Sequence, residues 1–243
     1  MKDPNKEIES IVQWLKEKVS SAGAKGLVFG LSGGIDSAVI AGISKLAFPN
    51  ESLGVIMPIN SNVQDESDAL LVAKTLDLDT INIDLSGIYQ SFLKSLPFEG
   101  ENPMAKANLK PRLRMMTLYF FAQEMNYLVC GSSNKSELEI GYFTKYGDSG
   151  VDLLPLADFV KSEVRQLAEE LKVPRDIIIK PPTAGLWEGQ TDEKELGFSY
   201  DVLDKYIKTG EGPEDVVERI KELHEKSKHK REFPPIYKKI SEN

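Results

Sequence analysis

Leu31-Ser32-Gly33-Gly34-Ile35-Asp36-Ser37 is the stretch of this chain best equipped for chemistry. Small residues let the main chain curl until several amide N–H groups face one point, and glycines keep any Cβ away from the guest. The apolar run Gly26-Leu27-Val28-Phe29-Gly30 before it reads as a strand, and Ala38-Val39-Ile40-Ala41-Gly42-Ile43 after it opens a helix. A strand turning through such a bend into a helix aims unpaired N–H groups and the positive end of the helix dipole at one spot, so an anion is the expected guest. Asp36 beside a polyphosphate needs a divalent cation between the two. Gly30, Leu31, Ser32, Gly33, Gly34, Ile35, Asp36 and Ser37 therefore read as a cradle for nucleotide phosphates, with Asp36 as metal ligand.

Two other readings use the same residues. The phosphate loop of common NTPases needs Lys before its Ser/Thr, and Asp36 stands there instead. Gly30-Leu31-Ser32-Gly33-Gly34 also fits the G-x-S-x-G elbow of serine hydrolases, which would call on a downstream Asp and on His224 or His229. That elbow leaves Asp36 and Ser37 without a purpose. The plainest alternative is a glycine-rich turn between strand and helix with no ligand at all.

The elements that must position the bend follow from the apolar pattern. Strands are predicted over Leu27–Leu31, Leu53–Met57, Thr80–Ile83 and Tyr127–Gly131, and helices over Asp36–Ala47, Gln64–Leu76, Ser86–Leu96 and Lys110–Met125. Continuous apolar strands separated by helices imply an α/β fold: a doubly wound, mostly parallel sheet with helices on both faces, and ligands outside the carboxyl ends of the strands. Further helices are expected over Met1–Ser20, Asp158–Lys172, Tyr200–Lys208 and Pro213–Lys226, ending in a basic tail, Lys226–Arg231. The expected organisation is one unit over 1–243: an N-terminal helix (1–22), the α/β core (23–180), a Gly- and Pro-rich mobile loop (181–197) and C-terminal helices with the tail (198–243).

Composition narrows the function classes. The 243 residues carry 38 acidic and 30 basic side chains, a net charge of −8, which argues against a general nucleic-acid or anionic-membrane binder. No apolar span is long enough to cross a bilayer, and Glu7, Glu9 and Glu17 interrupt any signal-peptide core. A single cysteine, Cys130, in the apolar run Tyr127-Leu128-Val129-Cys130, excludes an internal disulfide and fits a reducing cytoplasm. Any metal must then be held by oxygen ligands.

A second constellation, Phe143-Thr144-Lys145-Tyr146-Gly147-Asp148-Ser149-Gly150-Val151-Asp152-Leu153-Leu154-Pro155-Leu156, packs glycine, base and acids into an irregular connection, where binding groups gather more often than in a core. Three blocks now make the chain resemble the ammonia-dependent NAD synthetases of the N-type ATP pyrophosphatase family. They are Gly30–Ser37; Gly131-Ser132-Ser133-Asn134-Lys135-Ser136-Glu137 running on through Thr144-Lys145-Tyr146-Gly147-Asp148 to Leu156; and Pro182-Thr183-Ala184-Gly185-Leu186-Trp187. The first block marks the superfamily, the second the NAD synthetases.

The resemblance implies ATP-dependent amidation of deamido-NAD through an acyl-adenylate, giving NAD, AMP and pyrophosphate. It implies that Gly30–Ser37 holds the pyrophosphate end of ATP, that Asp36 and Glu137 bind magnesium, and that Ser132, Lys161 and Thr183 contact ATP. It assigns Arg112, Lys145, Asp152, His229 and Lys230 to deamido-NAD. A homodimer is implied as well, and free ammonia as nitrogen donor, since no glutaminase segment is present. From the residues alone, Glu137 could merely complement a helix N-terminus, Lys161 could be a surface lysine, Arg112 could snorkel from its helix, and Ser132 could cap the next one. Pro111 stands where the family has Ala, and a proline belongs in a first helical turn, so a late helix start that shifts Arg112 is expected.

Overall fold

The computed structural model describes residues 1–183 and 191–239. In chain order the elements are α1 (Pro4–Ser21), β1 (Gly26–Gly30), α2 (Ile35–Ala47), β2 (Ser52–Ile56), α3 (Val63–Thr75), β3 (Thr80–Asn82), α4 (Ser86–Ser95), α5 (Pro103–Met125), β4 (Tyr127–Val129), α6 (Lys135–Ile140), α7 (Lys161–Glu170), α8 (Arg175–Ile179), α9 (Asp192–Leu196), α10 (Tyr200–Thr209), α11 (Glu214–Lys226) and α12 (Lys228–Arg231). The four strands form one parallel sheet in the order β3-β2-β1-β4. Cys130 and Leu153 add a parallel bridge beyond β4.

Side chains alternate across this sheet as the pleat demands. Leu27 and Phe29 of β1 enter a core with Leu15 of α1, Ile40 of α2, Val72 of α3 and Leu167 of α7. Val28 points the other way, into a second core with Tyr89 of α4 and with Leu113 and Leu118 of α5. Helices therefore cover both faces, and the strands read as unbroken apolar runs because neither face meets water. Since β2 lies on one side of β1 and β4 on the other, the winding reverses between β1 and β4. The loops leaving these two strands open a crevice, the position where such sheets bind ligands. The bend before α2 and the turn before α6 meet there.

Strand and helix ends agree with the sequence-based expectation to within a residue or two for most elements, and three differences stand out. Helix α5 begins at Pro103, capped by Asn102, whose Oδ1 accepts from Met104 N at 2.9 Å. Pro111 thus lies inside the helix rather than in its first turn, and the expected late start is wrong. Residues Asp192–Leu196 of the expected mobile loop form α9, closed by Gly197 in the left-handed conformation; residues 184–190 of that loop, with Ala184–Trp187 of the third motif, lie outside the described residues. The expected basic tail is not a solvated strand of charge. Lys228–Arg231 form α12, and Arg231 donates to Leu138 O at 3.1 Å, Ser227 Oγ at 2.7 Å and His224 O at 2.5 Å. Its guanidinium adds donors to the carbonyl ends of α6 and α11 together, where the backbone ladder of each helix runs out.

A third core, with Ile140, Phe198, Tyr200, Leu203 and Ile220, joins α6 to α10 and α11. Gly141 closes α6 at φ +68°, and a Cβ there would lie 2.0 Å from Ser227 Cβ. Gly141→Ala is expected to lower unfolding free energy by about 2–5 kcal/mol, through left-handed strain and overpacking, in denaturant titrations followed by circular dichroism.

Candidate active site

The bend between β1 and α2 is held open by hydroxyls rather than by a bound lysine. Ser37 Oγ donates to Gly34 O at 2.9 Å and accepts from Ser32 N at 3.2 Å, and the Ser32 and Ser37 hydroxyls lie 3.1 Å apart. Gly33 adopts φ +80° and presses on α3, where an added Cβ would come within 2.5 Å of Asp65 O. Only glycine fits both demands. Gly34 caps α2 without a side chain, which leaves the amides of the first turn directed at the crevice.

From the other side, the turn after β4 supplies Asn134 and Glu137. They form a capping box: Asn134 Oδ1 accepts from Glu137 N at 3.1 Å and Glu137 Oε2 accepts from Asn134 N at 3.3 Å. Asn134 Nδ2 then donates to Asp36 Oδ1 at 2.8 Å. The first residue of α7, Lys161, is only 2% exposed, and its Nζ lies 2.5 Å from Asp36 Oδ2, 3.5 Å from Glu137 Oε1 and 5.1 Å from the Tyr200 ring centre. A surface lysine is excluded. Burial alone works to discharge it, but Asp36 and Glu137 outweigh that effect and raise its pKa. Glu137 does both things open to it, since one oxygen caps α6 and the other faces Lys161. Its pKa is pushed up to about 8, by burial first and by the Asp36 charge second, against the pull of Lys161.

Asp36, Glu137 and Lys161 line a cavity of about 460 Å³ together with Gly30, Leu31, Ser32, Gly34, Ile35, Ser37, Ser132, Thr183 and Lys230. The sequence-predicted ATP group thus converges on one chamber, except that Gly33 faces α3. The residues assigned to deamido-NAD behave differently. Arg112 is exposed and donates to Lys145 O at 3.2 Å; Lys145 Nζ donates to His229 O; and Lys230 Nζ donates to Gly141 O at 2.7 Å and Phe143 O at 2.8 Å. Arg112, Lys145 and His229 make a connected rim outside the cavity, and Lys230 alone reaches its wall. Arg112 keeps a defined partner despite Pro111. Asp152 is elsewhere again, accepting from Val129 N at 2.8 Å and Tyr119 Oη at 3.0 Å at the end of β4.

Sequence reasoning missed four cavity or near-cavity groups. Asn134 was legible in principle, because Asn followed three residues later by Glu is a capping signature. Tyr200, whose hydroxyl donates to Asp192 at 3.0 Å, is indistinguishable in sequence from any helix-core tyrosine. Arg114 donates from Nε to Met57 O at 3.0 Å, and Lys180 pairs with Asp65 and Asp68; neither position carries a local signal.

A glycine bend with free amides, at the reversal point of a parallel sheet and facing a buried lysine between two carboxylates, defines a nucleotide-binding α/β enzyme. The NAD synthase family model matches residues 7–234, so the chain belongs to the NAD synthase family. It is 52% identical, over 94% of its length and 95% of the relative's, to the NH(3)-dependent NAD(+) synthetase of Carboxydothermus hydrogenoformans. Among solved structures, an NMN synthetase from Francisella tularensis superimposes with a TM-score of 0.93 at 38% identity, covering 97% of this chain and 98% of that one. An NH3-dependent NAD synthetase from Campylobacter jejuni, solved with a nitrate ion, gives 0.83 at 30% identity, covering 97% and 100%.

Because the folded pKa of Glu137 lies above its ordinary 4.5, its contribution to stability is fully present below about pH 4.5 and is lost as pH rises through about 8. In metal-free protein, the stability advantage of wild type over Glu137→Gln is expected to shrink steadily between those limits and flatten above pH 8. Urea titrations at stepped pH measure it, and a constant difference would contradict the buried, partly protonated carboxyl.

Proposed function

We propose that the chain amidates the nicotinate carboxylate of deamido-NAD with ammonia, using ATP and releasing AMP and pyrophosphate. The observation that carries this reading is the clamp of buried Lys161 on Asp36 and Glu137 directly beside the amide-lined bend. A polyphosphate end in the bend meets the α2 amides and the Ser32 and Ser37 hydroxyls. Its α-phosphorus then lies open toward the cavity, where a carboxylate oxygen of the second substrate forms a P–O bond as the bond to pyrophosphate breaks. Ammonia next attacks the carbonyl carbon of the acyl-adenylate, loses a proton and expels AMP. The chain's own part is alignment and charge compensation, with no side chain bonded covalently to substrate.

Asp36 and Glu137 fit a divalent cation such as magnesium: both carboxylates are oxygen donors facing one point, and burial first and the Asp36 charge second raise the Glu137 pKa, a cost that a bound cation would relieve. When bound, magnesium neutralises polyphosphate charge and favours departure of pyrophosphate. Among the described residues no group of three His, Cys, Asp or Glu side chains is arranged to hold a metal, so Asp36 and Glu137 would be the side chains that hold it. Lys161, Ser132 and Thr183 are the ATP contacts in this reading, and Arg112, Lys145, Asp152, His229 and Lys230 the contacts to deamido-NAD. The connected rim of Arg112, Lys145 and His229 supports a separate platform for that second substrate.

Exposed Met116 and Phe120 on α5, with Ile88 and Phe92 on α4, support a homodimer that covers this apolar surface. Among the described residues no helix is long and apolar enough to cross a membrane. Cys130, buried and with its thiol pKa pushed up by burial, fits a cytoplasmic enzyme. The working unit in this reading is the whole of 1–243.

One observation favours a second substrate reading. The structure with a TM-score of 0.93 is an NMN synthetase, whose acid precursor is nicotinate mononucleotide. Deamido-NAD and nicotinate mononucleotide, each supplied with ATP, magnesium and ammonium, separate the two. NAD and AMP in equal amounts are expected from deamido-NAD, with a lower kcat/KM for the mononucleotide. The reverse preference installs the second reading, and ADP in place of AMP refutes both. Asp36→Ala is expected to cut pyrophosphate release about a hundred- to a thousandfold while the circular dichroism spectrum is unchanged, because Asp36 sits at a loop–helix junction rather than in a core.

A further inference from the structure

Lys180 stands apart from the charges already placed. It follows α8, at the start of the Pro181-Pro182-Thr183 segment, and lines the same cavity as Asp36 and Lys161. Its Nζ lies 2.8 Å from Asp65 Oδ1 and 2.5 Å from Asp68 Oδ2, with both carboxylates in the first two turns of α3. Asp68 is nearly buried, and its other oxygen accepts from Gln64 Nε2 at 2.7 Å.

These two acids stand immediately behind the glycine bend. A Cβ on Gly33 would lie 2.5 Å from Asp65 O and 2.9 Å from Asp68 Cβ, so the bend and this turn of α3 are in direct contact. Two carboxylates against an anion cradle would repel a polyphosphate across a low-dielectric gap. Lys180 offsets that field in part, and its ammonium is a point charge with rotatable donors on a long flexible stem. It is also about one-quarter exposed, toward the cavity rather than sealed in the core. Lys161 is placed differently: its side chain is almost fully buried between Asp36 and Glu137, whereas Lys180 keeps part of its side chain open to the cavity.

We propose that Lys180 is a second phosphate-contacting cation, parked on Asp65 and Asp68 and donating to the β,γ end of the triphosphate, and to the pyrophosphate it becomes, when that end occupies the Gly33–Gly34 bend. The assignment rests on the ATP-dependent reading above. Asp65 and Asp68 act as positioning residues that hold the ammonium beside the bend and compete with phosphate for it.

Product inhibition of the full chain tests this. Wild type must first release pyrophosphate and AMP from ATP; if it does not, the functional reading fails and Lys180 is not at issue. Given that release, Lys180→Met is expected to raise the inhibition constant of pyrophosphate about 10- to 100-fold while that of AMP stays within about twofold, as loss of one charge-assisted contact to phosphate requires. Lys180→Arg should recover most of the pyrophosphate affinity. Because Lys180→Met strands two carboxylates, the Asp65→Asn/Asp68→Asn/Lys180→Met triple variant supplies a folded background without them, and the selective loss must persist there. Asp68→Asn alone should tighten pyrophosphate, since it frees the ammonium. Equal losses for AMP and pyrophosphate, an unchanged pyrophosphate constant in Lys180→Met, or recovery of pyrophosphate affinity in the triple variant would each overturn the proposal.

Discussion

The contact on which the site depends is one buried ammonium held between two carboxylates. Lys161 opens α7, and Asp36 and Glu137 lie in the first turns of α2 and α6, so three helices that begin at the same end of the sheet are fastened at their N-termini. A lysine at a helix start is opposed by the dipole and, when buried, by desolvation. It is retained because removing it would leave two carboxylates facing each other in a medium too poor to screen them. The same arrangement makes the site receptive to a cation, since a metal bound there favours the ionised form of Glu137 that burial and the Asp36 charge resist.

Asn134 turns this cluster into a rigid unit. Its side chain joins the capping box of α6 to Asp36, so the loop after β4 is tied directly to the loop after β1. Those strands are neighbours in the sheet and lie where the winding changes direction. The geometry of the chamber is therefore inherited from strand order. Its depth comes from α5 on the far wall and from the C-terminal helices, which Arg231 and Gly141 pack against α6.

Much of this was legible in the sequence, and the reasons differ by residue. The strands and the glycine bend announce themselves because burial on both faces and a positive φ admit few residue types. The role suggested for Asp36 came from the glycine bend, and those for Glu137 and Lys161 from the family resemblance; the structure brings the three side chains together. Pro111 misled because a proline in a long helix is tolerated where the rest of the helix is well packed, as α5 is through Leu113 and Leu118. The basic run at 226–231 misled because a guanidinium that satisfies helix ends looks the same in sequence as one in water. Lys180 and Arg114 were invisible, since their partners lie 57 or more positions away.

Pro111 has no amide hydrogen, so the Ala107 carbonyl one turn earlier has no i+4 donor on the turn of α5 that borders the chamber. The next residues on that helix face opposite duties: Arg112 reaches outward to Lys145 O, and Arg114 reaches inward to Met57 O. A single turn, one backbone hydrogen bond short, thus stands between the exposed rim and the chamber. That turn sets the exposed arginine and the inward arginine on opposite sides of α5, two positions apart, so the spacing between rim and chamber is fixed by the helix itself.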